Sequence, residues 1–211
     1  MTVKEVKKIR VPQQARSKEK VNRITSAARI LFSKKGYTKT TMSQIAGKAG
    51  VSTGTAYAYF PDKSELLRKI LQEHVEEILQ PAEKVMQEIP DNAEVKDVLC
   101  KLINCFTEIH KKNEGLQILF HERIMNDEKF RALVMQYRNR GREIGRQLVK
   151  RFGCFKTKNN KEAEAQVVVG LLDFCTHIGT VFPSGVTIEE ACKVGVDMIG
   201  AYLRSEDRNN N

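Results

Sequence analysis

From Arg16 onward, apolar residues recur at intervals of three and four. Val21, Ile24, Ala28, Leu31 and Phe32 share one helical stripe, and Gly36 follows as a stop. Thr41–Met42–Ser43–Gln44 has the spacing of a capping box, predicting a short helix to about Ala49 that Gly50 ends. Ser52 caps a second short helix to about Phe60, and Pro61 stops it. Asp62 with Glu65 opens a longer helix carrying Leu66, Leu67, Ile70, Leu71, Val75, Ile78 and Leu79, which Pro81 kinks or ends. Asp91 with Glu94 opens the next, with Val95, Val98, Leu99, Leu102, Phe106 and Ile109. Leu116, Leu119, Phe120 and Ile124 mark a shorter helix, and Phe130 through Phe152 a long one. After a polar loop at 156–161, the helix near 162–182 is apolar on nearly all sides, so it is expected to be buried on more than one face. Thr187 with Glu190 caps a last helix through Tyr202, and 205–211 is a polar tail. No segment alternates as a strand would. The pattern predicts an all-α fold of about nine helices.

Charge divides the chain more sharply than hydropathy does. The net charge of +10 over 211 residues is concentrated in residues 1–75, which hold 16 basic and 5 acidic side chains. Residues 76–211 hold 20 and 21. Clustered positive charge favours a polyanion through counterion release. A membrane surface would need bulky apolar anchors on a basic helix. Residues 1–15 offer only Val3, Val6, Ile9, Val11 and Ala15, with Pro12 as a breaker. No run approaches the roughly 20 apolar residues of a membrane span. The first thirty residues lack the apolar core of an export signal, so the expected compartment is the cytoplasm, with reduced thiols. The five cysteines match no zinc spacing. A second basic stretch, 123–161, nets +9 and includes Arg138, Arg140, Arg142, Arg146, Lys150 and Arg151. It reads either as a solvated face or as a second anion site.

The pair of short helices carries the chemistry. Ala46 is small where two helices must approach, Gly50 supplies a left-handed turn, and Val51 plugs the angle between them. This is a helix-turn-helix pattern, whose second helix presents its N-terminal residues to a DNA groove. The gapless string Thr40–Leu66, TTMSQIAGKAGVSTGTAYAYFPDKSEL, strongly resembles the TetR family of one-component bacterial transcription regulators. Arg23–Ile24, Ala27–Ala28, Leu31–Phe32 and Gly36–Tyr37 stand at the family's positions as well, so the resemblance covers about residues 16–66. Ala56 departs from it, where the family has a larger apolar residue. The implied organisation is a basic arm (1–15), a DNA-binding domain (16–62), a ligand-binding and dimerisation domain (63–204) and the tail.

Candidate DNA contacts follow from residue chemistry and agree with the family's positions. Thr41 and Ser43 sit at a helix N-terminus, where free N–H groups and hydroxyls suit a phosphate. Ser52, Thr53, Gly54 and Thr55 start the recognition helix, and Gly54 allows close backbone approach. Tyr57 and Tyr59 offer hydroxyls to phosphates and rings to sugars or thymine methyls, with core packing the other reading for Tyr59 and the accepted one for Phe60. Lys63 reaches a phosphate as a flexible cation. Thr53–Tyr59 lacks the Arg, Lys, Asn and Gln that make bidentate base contacts, so readout rests on hydroxyls, methyl contacts and backbone. Cations must come from the arm and first helix: Lys4, Lys7, Lys8, Arg10, Arg16, Lys18, Lys20 and Arg23.

The remaining two-thirds shows no catalytic constellation, cofactor motif or metal motif. His121–Glu122 starts a zinc-protease pattern that Met125 breaks, and the four histidines look scattered. Cys100 and Cys105 read as core. The resemblance implies a homodimer through the last two helices, with small residues Ala163, Gly170, Gly179, Ala191 and Gly195 at close-packing positions, and a palindromic double-stranded DNA operator. It also implies a small-molecule pocket among the middle helices. Candidate lining residues are Phe106, His110, Gln117, Phe120, His121, Tyr137, Phe174 and His177, although Asp173 and His177 also read as a pair bonded to each other. The leading reading is a dimeric repressor released by an effector. The others are a non-specific architectural DNA-binding protein and an enzyme with a DNA-binding head. If the arm tracks DNA, deleting residues 1–14 will weaken operator binding and flatten the slope of log affinity against log salt. An unchanged slope excludes that role.

Overall fold

The computed structural model describes residues 12–152, 161–178, 181 and 185–204; basic-arm residues 1–11 and the tail lie outside them. The described residues form nine α-helices and no strand: α1 Pro12–Lys35, α2 Met42–Ala49, α3 Thr53–Tyr59, α4 Lys63–Gln87, α5 Val95–Lys112, α6 Glu114–Asn126, α7 Glu128–Phe152, α8 Lys161–His177 and α9 Ile188–Arg204. Among them, no helix is long and apolar enough to cross a membrane. The chain divides into two compact units, Met1–Ile70 and Leu71–Asn211.

The first unit packs α1, α2, α3 and the start of α4 around Ile24, Ala28, Phe32, Ile45, Ala56, Leu66 and Leu67. Each fully buried Ile, Leu or Phe contributes about 1.5–3 kcal/mol. Thr41 closes a complete capping box with Gln44, accepting the Gln44 N–H at 3.2 Å. Gly50 ends α2 with φ 64°, ψ 39°, a left-handed conformation that a side chain would strain. Its peptide N–H and that of Val51 bond back to Gly47 and Ala46. Arg23 of α1 then donates to the carbonyls of Ala49 at 2.9 Å and Gly50 at 2.8 Å. Arg23, grouped above with the cations available to DNA, thus closes the C-terminus of α2, where a cation suits the helix dipole.

In the second unit, Leu99, Leu102, Leu148, Val149, Leu172, Val196 and Ile199 form one buried cluster. Three expectations are corrected here. Pro81 does not end α4, because Ile78, Leu79 and Ala82 around it are all buried, and their packing outweighs the missing N–H. Asp91 does not open α5; Glu94 is its N-cap without a side-chain bond, and Asp91 instead accepts from Arg151 at 3.0 Å. Helix α8 stops at His177, short of the expected 182.

The small residues also play a different part. A Cβ at Gly145 would stand 2.7 Å from the Ala165 carbonyl oxygen, and one at Gly195 would stand 2.5 Å from Cys175 Sγ. These are crossings of α7 with α8 and of α8 with α9 inside one chain. Gly170 has nothing within 4 Å of its would-be Cβ, and Gly179 lies outside the described residues. Cys100 is exposed rather than core, while Cys175 and Cys192 are buried. Gly145→Ala is expected to cost about 1–3 kcal/mol by forcing α7 from α8. Gly170→Ala should instead stabilise by up to about 1 kcal/mol through helix propensity. Urea midpoints of the two variants check this pair, and equal shifts would contradict the assigned crossing.

Candidate functional site

The helix-turn-helix presents an exposed polar end. Ser52 caps α3, accepting the Thr55 N–H at 3.1 Å and sharing a 2.8 Å hydrogen bond with the Thr55 hydroxyl. Thr41, Ser43, Ser52, Thr53 and Gly54 are exposed, and Thr55 is half-buried. Tyr57 is 50% exposed although it is a large ring on a helix whose Ala56 is fully buried. A Cβ at Gly54 would meet nothing nearer than Ser52 Oγ at 4.0 Å, so nothing in the first unit requires glycine there. Phe60 is buried, as expected. Tyr59 is half-buried, and its hydroxyl accepts from Ser17 at 3.3 Å, tying α3 to α1.

The Lys63 ammonium donates to the carbonyls of Thr40 at 2.7 Å and Tyr37 at 2.9 Å, and lies 4.6 Å from the Tyr37 ring centroid. Thr40, fully buried, donates its hydroxyl to Gly36 at 2.8 Å. Together they clamp the turn between α1 and α2. Lys63 is therefore held as a strut within the first unit.

The second unit contains a cavity of about 340 Å³ bounded by α4, α5, α6, α7 and α8. Seven of the eight candidate pocket residues line it: Phe106, His110, Gln117, Phe120, His121, Tyr137 and His177. Phe174 does not; it is 49% exposed on another face of α8. The geometry is simple. Gln166, Val169, Gly170, Asp173 and His177 form the stripe of α8 that meets the cavity, and Phe174 sits about 100° around the helix from Asp173. Phe174 instead shares a stripe with Val167, which is also exposed.

The four histidines are not scattered. His74, which the sequence did not single out, joins His110, His121 and His177 in the cavity wall. The His110 and His177 ring centroids lie 4.4 Å apart, His121 and His177 5.0 Å, and His74 and His110 5.9 Å. Gln117 bridges the group, its amide 2.8 Å from His74 Nε2 and 3.2 Å from His177 Nε2. His177 Nδ1 donates to the Asp173 carbonyl at 2.7 Å, with the Asp173 carboxylate at 3.6 Å, so the pairing of these two and their place in the cavity wall hold together. Among the described residues, no group of three or more His, Cys, Asp or Glu is placed to hold a metal ion.

His110 is 2% exposed, and its Nδ1 has no hydrogen-bond partner. Burial, reinforced by His177, pushes its pKa down to about 4, against the opposing pull of Asp173. His121 is lowered by the same two causes, with Arg138 adding to them. An unfolded chain takes up a proton on His110 near pH 6.5, whereas the folded chain does so only near 4. Stability is therefore complete above about 6.5 and falls as pH drops through that window, by about 3 kcal/mol for this group. Urea midpoints between pH 7.5 and 4.5 should fall in the native chain and fall less in His110→Leu; parallel curves would contradict this.

Comparison with known proteins agrees with this geometry. The family model described as bacterial regulatory proteins, tetR family, matches residues 24–70. The HTH-type transcriptional regulator HbdR of Aromatoleum sp. (strain CIB) is 45% identical over 64 residues, 28% of either chain. The aligned stretches span 28% to 58% of the lengths of HbdR and two further curated relatives. A putative TetR-family regulator from Syntrophomonas wolfei superposes with a TM-score of 0.69 at 20% identity, covering 92% of this chain and 99% of that one. Thermus thermophilus FadR, a TetR-family repressor solved with lauroyl-CoA, superposes with a TM-score of 0.63 at 18% identity over 90% and 98%. At these identities the structural likeness is one of fold. Residues 24–70 thus match the tetR-family model, and the nine helices of the described residues share the fold of TetR-family regulators.

Proposed function

We propose that the chain is a dimeric repressor that binds a palindromic operator and leaves it when a small molecule occupies the cavity of the second unit. The observation that carries the reading is the exposed start of α3. Gly54 fills no packing need there and Tyr57 is held half in solvent, in a segment that carries the chain's net positive charge. Both features cost a free-standing fold something and suit a surface that meets DNA. Positive charge from α1 and the arm supplies affinity. Hydroxyls, Tyr57 and the shape of the operator supply selectivity.

Dimerisation through α8 and α9 is supported by their exposed apolar side chains. Val167 and Phe174 on α8, with Val194, Met198 and Tyr202 on α9, are between 39% and 67% exposed. A soluble monomer rarely keeps such a stripe in water. The cavity is of the size that holds a small organic ligand, and the repressor from Thermus thermophilus shows this fold with lauroyl-CoA bound. Helix α4 carries Lys63 at its start and His74, Val75 and Ile78 of the cavity wall further along. A ligand that favours one position of this helix can shift the dimer away from its DNA-binding arrangement only by its differential affinity for the two states. The reading assigns no enzymatic step and places the protein in the cytoplasm.

Selection of bound fragments from random DNA, followed by footprinting, tests the reading. The expected result is one short protected palindrome. Smeared protection with no selected sequence would favour an architectural DNA-binding protein instead.

A further inference from the structure

Helix α7 carries six arginines, and five of them are engaged. Arg140 pairs with Glu76 and with Glu83, the latter at 3.0 Å. Arg146 pairs with Glu143 at 2.9 Å and Glu162 at 3.0 Å, and Arg151 with Asp91 at 3.0 Å. Arg142 reaches Glu162 at 3.7 Å and Asn139. Arg131 donates to the Ile124 carbonyl at 3.4 Å. Arg138 alone among the six has neither ion pair nor hydrogen bond among the described residues, and it lines the cavity. The two readings of the basic stretch thus separate. Four of the six guanidinium groups meet carboxylates on the protein, and the one with neither ion pair nor hydrogen bond among the described residues sits at the cavity.

Among the described residues, the cavity wall has two other formally charged side chains. Arg142 is held by Glu162, and Asp173 faces His177. The rest of the wall is chiefly aliphatic and aromatic, with the histidines bound into their own Gln117-centred group. Arg138 is exposed, so it marks the open side, while Phe120 and His110 are buried and mark the inner end. The wall therefore combines a chiefly apolar interior with one unpaired guanidinium, Arg138, on its exposed side and with the Asp173 carboxylate beside His177. We propose that the effector is an amphipathic monoanion, a carboxylate with an apolar body, which sets its carboxylate on Arg138 and its body in the cavity. Guanidinium and carboxylate match as a bidentate pair. The charge count argues against a coenzyme A head group as the recognised anion, since several phosphate charges would meet one unmatched arginine. The inference rests on the reading of the cavity as the effector site.

Titration calorimetry on the full chain with decanoate, 1-decanol and decanoyl-CoA tests it, using the native protein, Arg138→Gln and Lys129→Gln. Lys129 is an exposed cation of α7 outside the cavity wall and serves as the charge control. Decanoate should bind the native chain at least about fivefold more tightly than decanol. Arg138→Gln should abolish that preference while leaving decanol affinity unchanged, and Lys129→Gln should keep it. Equal affinities of decanoate and decanol, or a preference that survives Arg138→Gln, would overturn the proposal. Decanoyl-CoA binding more tightly than decanoate through Arg138 would overturn the monoanion assignment. The same ligands are then added to the protein on its selected operator. Arg138-dependent binding without release would sink the effector reading and leave the carboxylate site standing. Release by all three ligands alike would do the reverse, and binding by none would overturn both.

Discussion

Helices of eight and seven residues cannot hold themselves in water, and the first unit is organised around that constraint. Both ends of α2 and the start of α3 are met by specific groups. Thr41 and Ser52 satisfy N–H groups at the starts, and Gly50 turns the chain so that its own amide and that of Val51 close the end of α2. Arg23 reaches from α1 to the last carbonyls of α2, and Lys63 reaches from α4 to the carbonyls of the turn before α2. The recognition surface depends on this arrangement, because the same contacts that finish the helices leave Thr53, Gly54 and Tyr57 facing outward. Two of the segment's cations, Arg23 and Lys63, are tied to carbonyls in the process, which fixes their side chains and leaves their positive charge in place.

The second unit solves a different problem. It encloses polar groups without leaving most of them unpaired. Gln117 offers a donor and an acceptor from one amide and so links His74 to His177, which Asp173 holds in turn. Imidazoles serve well as cavity wall, since their ring faces are close to apolar and their nitrogens can bond edge to edge. At His110 the Nδ1 stays without a hydrogen-bond partner and the proton affinity is low. On the proposed reading of the cavity, that cost is acceptable in a wall that receives a ligand rather than maximises stability.

Charge follows the same division. The basic stretch of α7 appeared in the sequence as a single block of positive charge. In the fold it breaks into local ion pairs with α4, α8 and the segment before α5. These pairs are partly exposed, so each contributes modestly to stability. Their larger consequence is to leave Arg138 as the distinct feature of the cavity opening.

Sequence alone determined what depends on neighbours a few residues apart. The capping boxes at Thr41 and Thr187, the turn at Gly50, the cap at Ser52 and the buried stripes of the nine helices are local in origin, because hydrogen bonds between residues three apart and helical periodicity act within one or two turns. Pro81 and Asp91 misled for the converse reason: distant packing and a distant arginine overrode a local signal. Only the tertiary structure could gather His74, His110, His121 and His177, which lie on four different helices, into one wall. Only it could turn Phe174 outward while Asp173 turns in, since one residue's step around a helix decides the face and nothing in the composition marks it. The roles of Arg23, Lys63 and Arg138 also waited on the fold. A cation in sequence is a charge without a partner, and whether it closes a helix, joins an ion pair or stays free at a cavity depends on which carbonyls and carboxylates the other helices bring to it.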